Sequence, residues 1–290
     1  MGCVFSRPDY EIEDHRLRVV RKIAEGGFSE VFLVEDVDSG EKFAMKNMNV
    51  DEDDVAAILR EAEVHRRHVH ENIVRLECHG RPDTAHYVLV FPFFNKGSLA
   101  QLLEQKKSSR EHITQANLLR MGNGICRGIA VLHADHVAHR DLKPANVMLT
   151  PDFTPVLTDF GSSVTMPKEI RNAAQSQAEI DSAAEQCSMP YRAPELFSCE
   201  LGTTITLAID IWSLGCVLYA MEYWESPFDA VHAAGNSVAL AAQSPHRLPF
   251  PSLAPYDSQL NELIRDLLKV DPTERLPIEG VIERLGMITE

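Results

Sequence analysis

The sequence predicts an α+β fold with two lobes: a small antiparallel β-sheet lobe that carries one helix, and a larger lobe that is mainly α-helical. Between residues 17 and 45, apolar and polar residues alternate around two turn signals, as in three antiparallel strands. From Gly97 onward, apolar residues recur at helical spacing instead. The chain has 290 residues, more than one typical domain. We therefore predict a leader at 1–15, a first lobe at 16–94 and a second lobe at 95–290.

The other elements follow from the same two periodicities. Residues 53–68 place their apolar side chains on one face of a helix, and 73–78 and 86–91 fit two further strands. In the second lobe, helical periodicity predicts three helices, at about 118–132, 208–223 and 260–268.

The composition argues against several classes of protein. With 28 basic and 43 acidic residues the formal charge is −15, which disfavours a nucleic-acid partner because such a partner requires a basic surface. No stretch reaches the roughly 18 consecutive apolar residues of a membrane-spanning helix. The six cysteines lack the spacing of a zinc site or a disulfide framework, so we expect a reducing compartment. Cys126 and Cys216 lie in apolar helical patterns and should pack as small hydrophobic residues.

Two acidic motifs carry the chemistry. Residues 139–146 read HRDLKPAN, and Asp159-Phe160-Gly161 begins 13 residues after Asn146. Carboxylates and an amide at this spacing can hold a hydroxyl and metal ions around a transferring phosphoryl group. Taken alone, Asp141 could cap a helix and Asp159 could occupy a simple turn. Together the motifs resemble the catalytic loop and the metal-binding motif of protein kinases.

This resemblance implies a bilobal protein-kinase fold and a role for each of four residues. Asp141 would be the catalytic base that accepts or orients the proton of the substrate hydroxyl. Lys143 would neutralise charge on the transferring phosphate. Asn146 and Asp159 would each bind Mg²⁺, and ATP would be the phosphate donor.

The first lobe contains a segment similar to the glycine-rich loop that covers the ATP phosphates, where glycine permits close approach of the backbone. The segment departs from the family pattern, because Ala24 replaces the first glycine and Ser29 the third. A Gly-Gly pair between strands could also be only a hairpin turn. By resemblance, the nucleotide-binding residues here are Ile23, Ala24, Glu25, Gly26, Gly27, Phe28, Ser29 and Val31.

A lysine motif supports the nucleotide-binding interpretation of that loop. Residues 43–46 read FAMK and match the strand motif whose lysine contacts the α- and β-phosphates. Ala44 and Lys46 are therefore assigned to the nucleotide. Lys46 would pair with an acid on the following helix, and we predict Glu61. The alternative, Glu63, would point about 200° around the helix from Glu61.

Residues 88–94 read VLVFPFF and resemble the segment that joins the two lobes in protein kinases. Phe91 would then guard the adenine pocket, and main-chain groups of Pro92 and Phe94 would bond the edge of the adenine. The same pattern fits a buried strand with an aromatic core, and the two interpretations are compatible.

The activation segment is assigned to residues 159–195 and ends in YRAPE. The resemblance pairs Glu195 with Arg275 in a buried ion pair and assigns Asp210 to bracing the catalytic loop. The segment has too many residues to be a plain loop in a compact domain.

Two features indicate which kind of kinase the chain resembles. Lys143 and Ser188 stand at positions that indicate serine/threonine specificity, so the expected partners are protein substrates with Ser or Thr. Residues 176–179 read SQAE, which resembles a capping box and predicts a helix inside the activation segment, with one face formed by Ile180, Ala183, Ala184 and Cys187. Four short motifs accompany this helix: GGFS at 26–29, PFF at 92–94, YRAPELFS at 191–198 and WSLGCVLYAM at 212–221. Together they resemble the Numb-associated kinase family, in particular its myristoylated and palmitoylated kinase. A preformed helix needs no phosphate to order it, so we predict constitutive activity.

The N-terminus predicts lipid anchoring. Residues 1–6 read MGCVFS and satisfy the myristoylation pattern, with Gly2 as the acceptor once the initiator methionine is removed. One myristoyl chain binds membranes with an association constant of only about 10⁴ M⁻¹, so a second signal is needed. The leader offers Arg7 against four acidic residues, which disfavours a polybasic signal. Palmitoylated Cys3 is the predicted second signal, and an unmodified thiol is the alternative.

The expected location is the cytoplasmic face of intracellular membranes, with the Golgi or vesicles implied by the family resemblance and a cytosolic pool if the chain is unacylated. The alternative function is a pseudokinase that acts as a scaffold on membranes. A pseudokinase would be expected to lose Lys46, Asp141 or Asp159, and all three are present.

Overall fold

The computed structural model describes residues 9–25, 29–50, 55–250 and 255–288. The chain separates into two compact units, with the division between Phe94 and Asn95. The first unit is built on an antiparallel sheet and the second mainly on helices, which confirms the predicted α+β class. Among the described residues, no helix combines the length and the apolar composition needed to cross a membrane.

The first unit contains a six-stranded antiparallel sheet in the order β1-β2-β3-β4-β6-β5 and one helix. The strands and the helix are β1 Tyr10–Ile12, β2 His15–Glu25, β3 Ser29–Asp36, β4 Lys42–Asn49, β5 Cys78–Gly80, β6 His86–Pro92 and α1 Val55–Arg67. The three predicted N-terminal strands, the strand at 86–91 and the helix are confirmed. Strand β1 lies inside the predicted leader, so part of the leader belongs to the sheet.

One face of this sheet forms the core of the first unit, because alternate residues of a strand point to the same face. Phe43 and Met45 of β4 are two residues apart and both buried, and Val88 and Val90 of β6 repeat the pattern. Met45 pairs directly with Val90 across the two strands. The core therefore fixes the register of β4, the strand that carries Lys46.

The predicted strand at 73–78 is wrong, because residues 74–77 lie outside any strand and β5 begins only at Cys78. The apolar residues of this run, Ile73, Val74 and Leu76, are nevertheless buried. Nδ1 of His65 on α1 lies 3.0 Å from the carbonyl oxygen of Val74. Burial against the helix, rather than pairing in the sheet, explains the apolar pattern.

The second unit contains eight helices among the described residues and three short two-stranded ladders. The helices are α2 Leu99–Ser109, α3 Gln115–Ala134, α4 Ala173–Gln186, α5 Ala208–Tyr223, α6 Asp229–Ala233, α7 Val238–Ala242, α8 Ser258–Leu267 and α9 Ile278–Met287. The ladders pair β7 Val137–Ala138 with β10 Val164–Thr165, β8 Val147–Leu149 with β9 Pro155–Leu157, and β11 Lys168–Glu169 with β12 Thr204–Ile205. The predicted helices are confirmed, and α5 has the predicted bounds.

Helix α5 lies at the centre of the second unit. Its residues from Ile209 to Glu222 are all buried, as expected for a helix that is apolar on every side. A Cβ atom at Gly215 would lie 3.0 Å from side-chain atoms of Leu267 and Leu268, so glycine is required for the close approach of α8. Cys126 and Cys216 are fully buried, which confirms their packing as small hydrophobic residues. The buried core thus surrounds the helix whose first turn carries Asp210.

Candidate active site

Asp210 holds the backbone of the catalytic loop, residues 139–146. Its fully buried carboxylate accepts hydrogen bonds from the backbone amides of His139 at 2.7 Å and Arg140 at 2.8 Å, and lies 2.9 Å from Nε2 of His133. Burial opposes the charge on Asp210, but the hydrogen bonds and the nearby histidines hold its pKa below the usual value. The bracing role implied by the resemblance is confirmed, and the loop is anchored to the central helix.

Asp141 accepts hydrogen bonds on both oxygens of its carboxylate. Oδ2 accepts from Nζ of Lys143 at 2.7 Å and from Nδ2 of Asn146 at 3.2 Å. Oδ1 accepts from the backbone amide of Ser188 at 2.8 Å. Nζ of Lys143 also donates to Oγ of Ser188 at 2.7 Å. The structure therefore brings together a carboxylate, an ammonium, an amide and a hydroxyl group from two segments of the chain.

Asn146 and Asp159 lie at the same end of the β8–β9 hairpin. The amide of Thr158 donates to the carbonyl of Asn146 at 3.0 Å, and Nδ2 of Asn146 donates to the carbonyl of Asp141 at 2.9 Å. Asp159 has a φ of 65°, which is uncommon for a residue with a side chain. The chain turns there, and Phe160 is buried, with the centroid of its ring 5.3 Å from the centroid of the His139 ring. The hairpin explains how two residues separated in sequence reach one place.

In the first unit, Lys46 on β4 pairs with Glu61 on α1. Its Nζ donates to the two carboxylate oxygens of Glu61 at 2.9 and 3.2 Å. Glu61 is buried, whereas Glu63 is exposed. Ala44, two residues before Lys46, lies opposite Phe91 in the adjacent strand β6. The ammonium group is thus held in place by a buried carboxylate on a separate element.

The predicted nucleotide-binding residues of the glycine-rich segment are placed only in part. Gly26, Gly27 and Phe28 lie outside the described residues. The flanking positions belong to the β2–β3 hairpin: β2 ends at Glu25 and β3 begins at Ser29. On this hairpin, Ala24 of β2 pairs with Val31 of β3, and Ile23 is half-buried.

The two residues predicted to bond the adenine lie at the end of the first unit. Pro92 is the last residue of β6, and Phe94 follows it and is half-buried.

Helix α4 confirms the helix predicted inside the activation segment, but the predicted capping box at 176–179 is wrong. The helix begins one turn earlier, where the side chain of Asn172 accepts a hydrogen bond from the amide of Gln175 at 3.0 Å. Ser176 lies within the helix, and its hydroxyl donates to the carbonyl of Cys199. Of the predicted apolar face, Ala183 is buried but Ala184 is exposed. The buried face instead includes a carboxylate.

That carboxylate belongs to Glu179, which the sequence did not mark as functional. Its Oε1 accepts from Nη2 of Arg140 at 2.6 Å, and its Oε2 accepts from Nζ of Lys168. The Arg140 and Glu179 side chains are each only 1% exposed. They are 39 residues apart, and no local pattern joins them. The sequence offered one signal for this role: Glu179 is a charged residue on the helical face that Ala183 and Cys187 otherwise form.

The end of the activation segment is fixed by a second ion pair. The guanidinium of Arg275 donates to both oxygens of Glu195, at 2.7 and 2.8 Å, and also to the carbonyls of Lys269 and Ala208, each at 2.8 Å. The Arg275 side chain is fully buried. This pair, predicted by the family resemblance, is confirmed.

Comparison with known proteins agrees with this geometry. The protein kinase domain family matches residues 17–285. Serine/threonine-protein kinase 16 of Mus musculus is 40% identical over 287 residues, and that of Homo sapiens is 39% identical; both matches cover 98% of this chain and 93% of the relative. Serine/threonine-protein kinase ppk13 of Schizosaccharomyces pombe is 29% identical over 95% of this chain and 91% of its own length. The chain therefore belongs to the protein kinase family, and its relatives support a serine/threonine protein kinase enzyme.

Proposed function

We propose that this kinase transfers the γ-phosphate of ATP to Ser and Thr hydroxyls of protein substrates, with the residues of the catalytic loop in the roles that the family resemblance assigns. The observation that carries the proposal is the cluster of Asp141, Lys143 and Ser188, with its distances of 2.7 to 2.8 Å. A carboxylate and an ammonium held this close together can act on a hydroxyl and on a phosphate in one event.

Asp141 would orient the substrate hydroxyl and accept its proton. The contacts with Lys143, Asn146 and the amide of Ser188 hold its carboxylate in one orientation, so little reorganisation is needed when a hydroxyl arrives. Lys143 would move its ammonium from Asp141 toward the transferred phosphate, where it offsets negative charge. Ser188 bonds to both side chains and would hold them in a fixed position relative to each other.

The residues present fit a magnesium ion. In the described part of the chain, no three His, Cys, Asp or Glu side chains form a group that could hold a metal by themselves. Mg²⁺ usually takes only one or two carboxylates and completes its shell with water and phosphate oxygens, so Asp159 and Asn146 suit it. Nδ2 of Asn146 is used in hydrogen bonds to Asp141, which leaves its oxygen for a cation. When bound, Mg²⁺ neutralises charge on the phosphates.

Lys46 would contact the α- and β-phosphates of ATP. The buried carboxylate of Glu61 orients its ammonium without removing it from the surface, since the Lys46 side chain is 18% exposed. The β2–β3 hairpin would cover the phosphates, and the main chain of Pro92 and Phe94 would bond the adenine. Ala24 in place of glycine should affect nucleotide affinity more than the chemical step.

The test is phosphate incorporation from Mg·ATP into a generic protein substrate. Asp141→Asn should lower kcat by about 10²- to 10⁴-fold, the usual contribution of a general base, without loss of folding. Asp181→Asn, which changes an exposed aspartate on α4, is the matched control and should retain activity. Equal incorporation by the wild type and Asp141→Asn would contradict the proposal and favour the pseudokinase scaffold.

We also propose constitutive activity, because α4 forms a complete helix inside the activation segment, capped by the side chain of Asn172. Full activity of protein expressed in bacteria and treated with phosphatase is the expected result. A requirement for an upstream kinase would exclude it. An oriented peptide library would then define the residues preferred around the phosphorylated Ser or Thr.

We further propose that the chain is a Numb-associated kinase that resembles the myristoylated and palmitoylated serine/threonine protein kinase of that family. Gly2 and Cys3 would carry the acyl chains; both lie outside the described residues. The kinase would then act on the cytoplasmic face of intracellular membranes such as the Golgi or vesicles. The support is the sequence MGCVFS and the acidic residues that follow it.

Cell fractionation tests the anchoring. Gly2→Ala should move the protein from the membrane pellet to the soluble fraction, because it removes the acceptor of the first chain. Cys3→Ser should give partial release, since one myristoyl chain binds only marginally. Gly2→Ala protein that stays in the pellet would overturn the proposal.

A further inference from the structure

We propose that a cavity in the second unit binds an aromatic carboxylate, with Arg265 as the group that holds the anion. This α7–α8 cavity lies between residues 243–250, which follow α7, and the end of α8 with the residues after it. None of its lining residues takes part in the proposed phosphoryl transfer. The inference therefore goes beyond the proposed function and is tested by binding alone.

The first observation is the size and the lining of the α7–α8 cavity. Its volume is about 480 Å³, within the range of sites that bind small organic molecules. Leu248, Leu268 and Val270 form part of an apolar wall, and Leu268 is almost completely buried. Such a wall favours a ligand that removes an apolar or aromatic group from water.

The second observation is that Arg265 lines the cavity with its guanidinium over an aromatic ring. Its Cζ atom lies 3.9 Å from the centroid of the Phe250 ring. Among the described residues, no acidic side chain forms an ion pair with Arg265. Lys269 and Arg284, by contrast, both pair with Asp266. A guanidinium whose face lies on a ring keeps the N–H groups at its edge for a carboxylate.

The third observation is that α5 holds the aromatic ring beneath this guanidinium in place. The centroid of the Phe250 ring lies 5.5 Å from that of Tyr219 and 6.2 Å from that of Tyr223, both edge-on. The hydroxyl of Tyr219 also donates to the carbonyl of Pro249 at 2.6 Å. The wall that positions the guanidinium is therefore preformed, and a preformed site loses less entropy when a ligand binds.

The charges that line the cavity determine where a carboxylate can bind. Arg265 covers the ring face that an organic cation would need. Asp271 already accepts hydrogen bonds from its own turn at 2.7 and 2.8 Å, whereas Glu274 is exposed and would weaken the binding of an anion. Burial raises the pKa of Glu222 to about 7, so at pH 6 this nearby carboxyl is protonated and does not compensate the charge of Arg265.

The experiment follows the methyl NMR signals of leucine and valine in the full chain at pH 6 while 3-phenylpropionate is added. The signals of Leu248, Leu268 and Val270 should shift and reach saturation. The alcohol 3-phenylpropan-1-ol has nearly the same shape without the charge. It should bind at least about tenfold more weakly, because it cannot form a charge-assisted hydrogen bond with arginine.

Variants test the role of each charge. Arg265→Gln should weaken the binding of 3-phenylpropionate at least about tenfold, and Arg265→Lys should restore only part of the affinity, because lysine lacks the planar fork of arginine. Glu274→Gln should strengthen binding by about two- to fivefold, since it removes an opposing charge. Arg247→Gln removes an exposed arginine outside the lining and is the matched control, which should bind as the wild type does.

A peptide with neutral ends, acetyl-aspartyl-phenylalanine amide, distinguishes two sources of the same chemistry. Tighter binding of the peptide would identify an acidic segment of a protein as the ligand, and tighter binding of 3-phenylpropionate would identify a free organic acid.

Three results would each overturn the inference: equal binding of the alcohol and the acid, wild-type affinity in Arg265→Gln, or the absence of shifts at the methyl groups of the cavity. The alcohol requires no variant, so the test does not depend on the folding of Arg265→Gln. These measurements do not use activity, and failure of the proposed kinase function would leave them unchanged.

Discussion

Glu222 on α5 is a carboxyl group in the core of the second unit, where it has no solvent exposure. Burial raises its pKa to about 7, and the hydroxyl of Tyr223 and the charge of Arg265 offset only part of this effect. The group is therefore protonated at mildly acidic pH and ionises near neutrality. At the scale of a single residue, this makes stability depend on pH.

The sign follows from the two protonation states. Below about pH 4.5 the folded and the unfolded chain both hold the proton, so Glu222 then has no effect on the pH dependence. Between about pH 4.5 and 7 the unfolded chain releases a proton that the folded chain keeps, and the free energy of unfolding falls by about 3 kcal/mol. Above that range the loss is complete.

Urea unfolding at several pH values tests this prediction. Relative to the wild type, Glu222→Gln should gain about 3 kcal/mol of stability between pH 4.5 and pH 8, because glutamine does not ionise. Glu262→Gln, an exposed position on α8, is the control and should differ from the wild type by less than about 0.5 kcal/mol throughout. A constant difference between Glu222→Gln and the wild type would refute the assignment.

At the scale of the element, α4 shows a local signal that tertiary contacts overrule. The pattern SQAE favours a helix that begins at Ser176, since serine and glutamate can satisfy the first amides reciprocally. In the structure Glu179 is instead buried against two cations, and Ser176 bonds to the carbonyl of Cys199. Neither side chain is then available for capping, and Asn172 caps the helix one turn earlier.

Asn172→Ala should therefore weaken the first turn of α4. Loss of an N-cap costs about 1 kcal/mol, which corresponds to roughly fivefold faster hydrogen exchange of the amides of Gln175 and Ser176, which bond to Asn172. Ser176→Ala should leave these amides protected as in the wild type, although it removes the contact with Cys199. Faster exchange in Ser176→Ala than in Asn172→Ala would instead support the cap at Ser176 that was predicted from the sequence.

At the scale of the whole molecule, the dominant property is an excess of negative charge. The formal charge is −15, and four of the acidic residues, Asp9, Glu11, Glu13 and Asp14, follow closely after the proposed acylation sites in the sequence. Anionic lipid surfaces attract basic segments by about 1 kcal/mol per residue, and this chain offers the opposite sign. The proposed membrane binding would therefore have to come from the acyl chains.

Binding of the acylated protein to vesicles that contain anionic lipid should consequently resist salt. Raising the salt concentration from about 0.05 to about 0.5 M screens charge, and it should not release the protein. Neutral hydroxylamine, which cleaves thioesters, should release most of it, and Cys3→Ser protein should not respond to the reagent. Release by salt alone would indicate an electrostatic anchor instead.

The sequence by itself determined the fold class, the bounds of α5 and the catalytic segment, because each depends on short-range patterns. Asp141, Lys143 and Asn146 lie within six residues, and helical periodicity is local. It also predicted the Lys46–Glu61 pair, from the family resemblance and the distance of Glu61 ahead of the family-like segment HENI at 70–73.

Only the tertiary structure decided which groups meet over long separations. Three features depend on surfaces that form when distant segments pack: the burial of Ile73, Val74 and Leu76 outside the strands of the sheet, the cap at Asn172, and the contact of Glu179 with Arg140. The physical reason is that a buried charge must pair with an opposite charge, even where the local sequence favours another role for that side chain. The fold determines which opposite charge lies within reach. The catalytic motif could thus be read from the sequence, but the contacts that hold it could not.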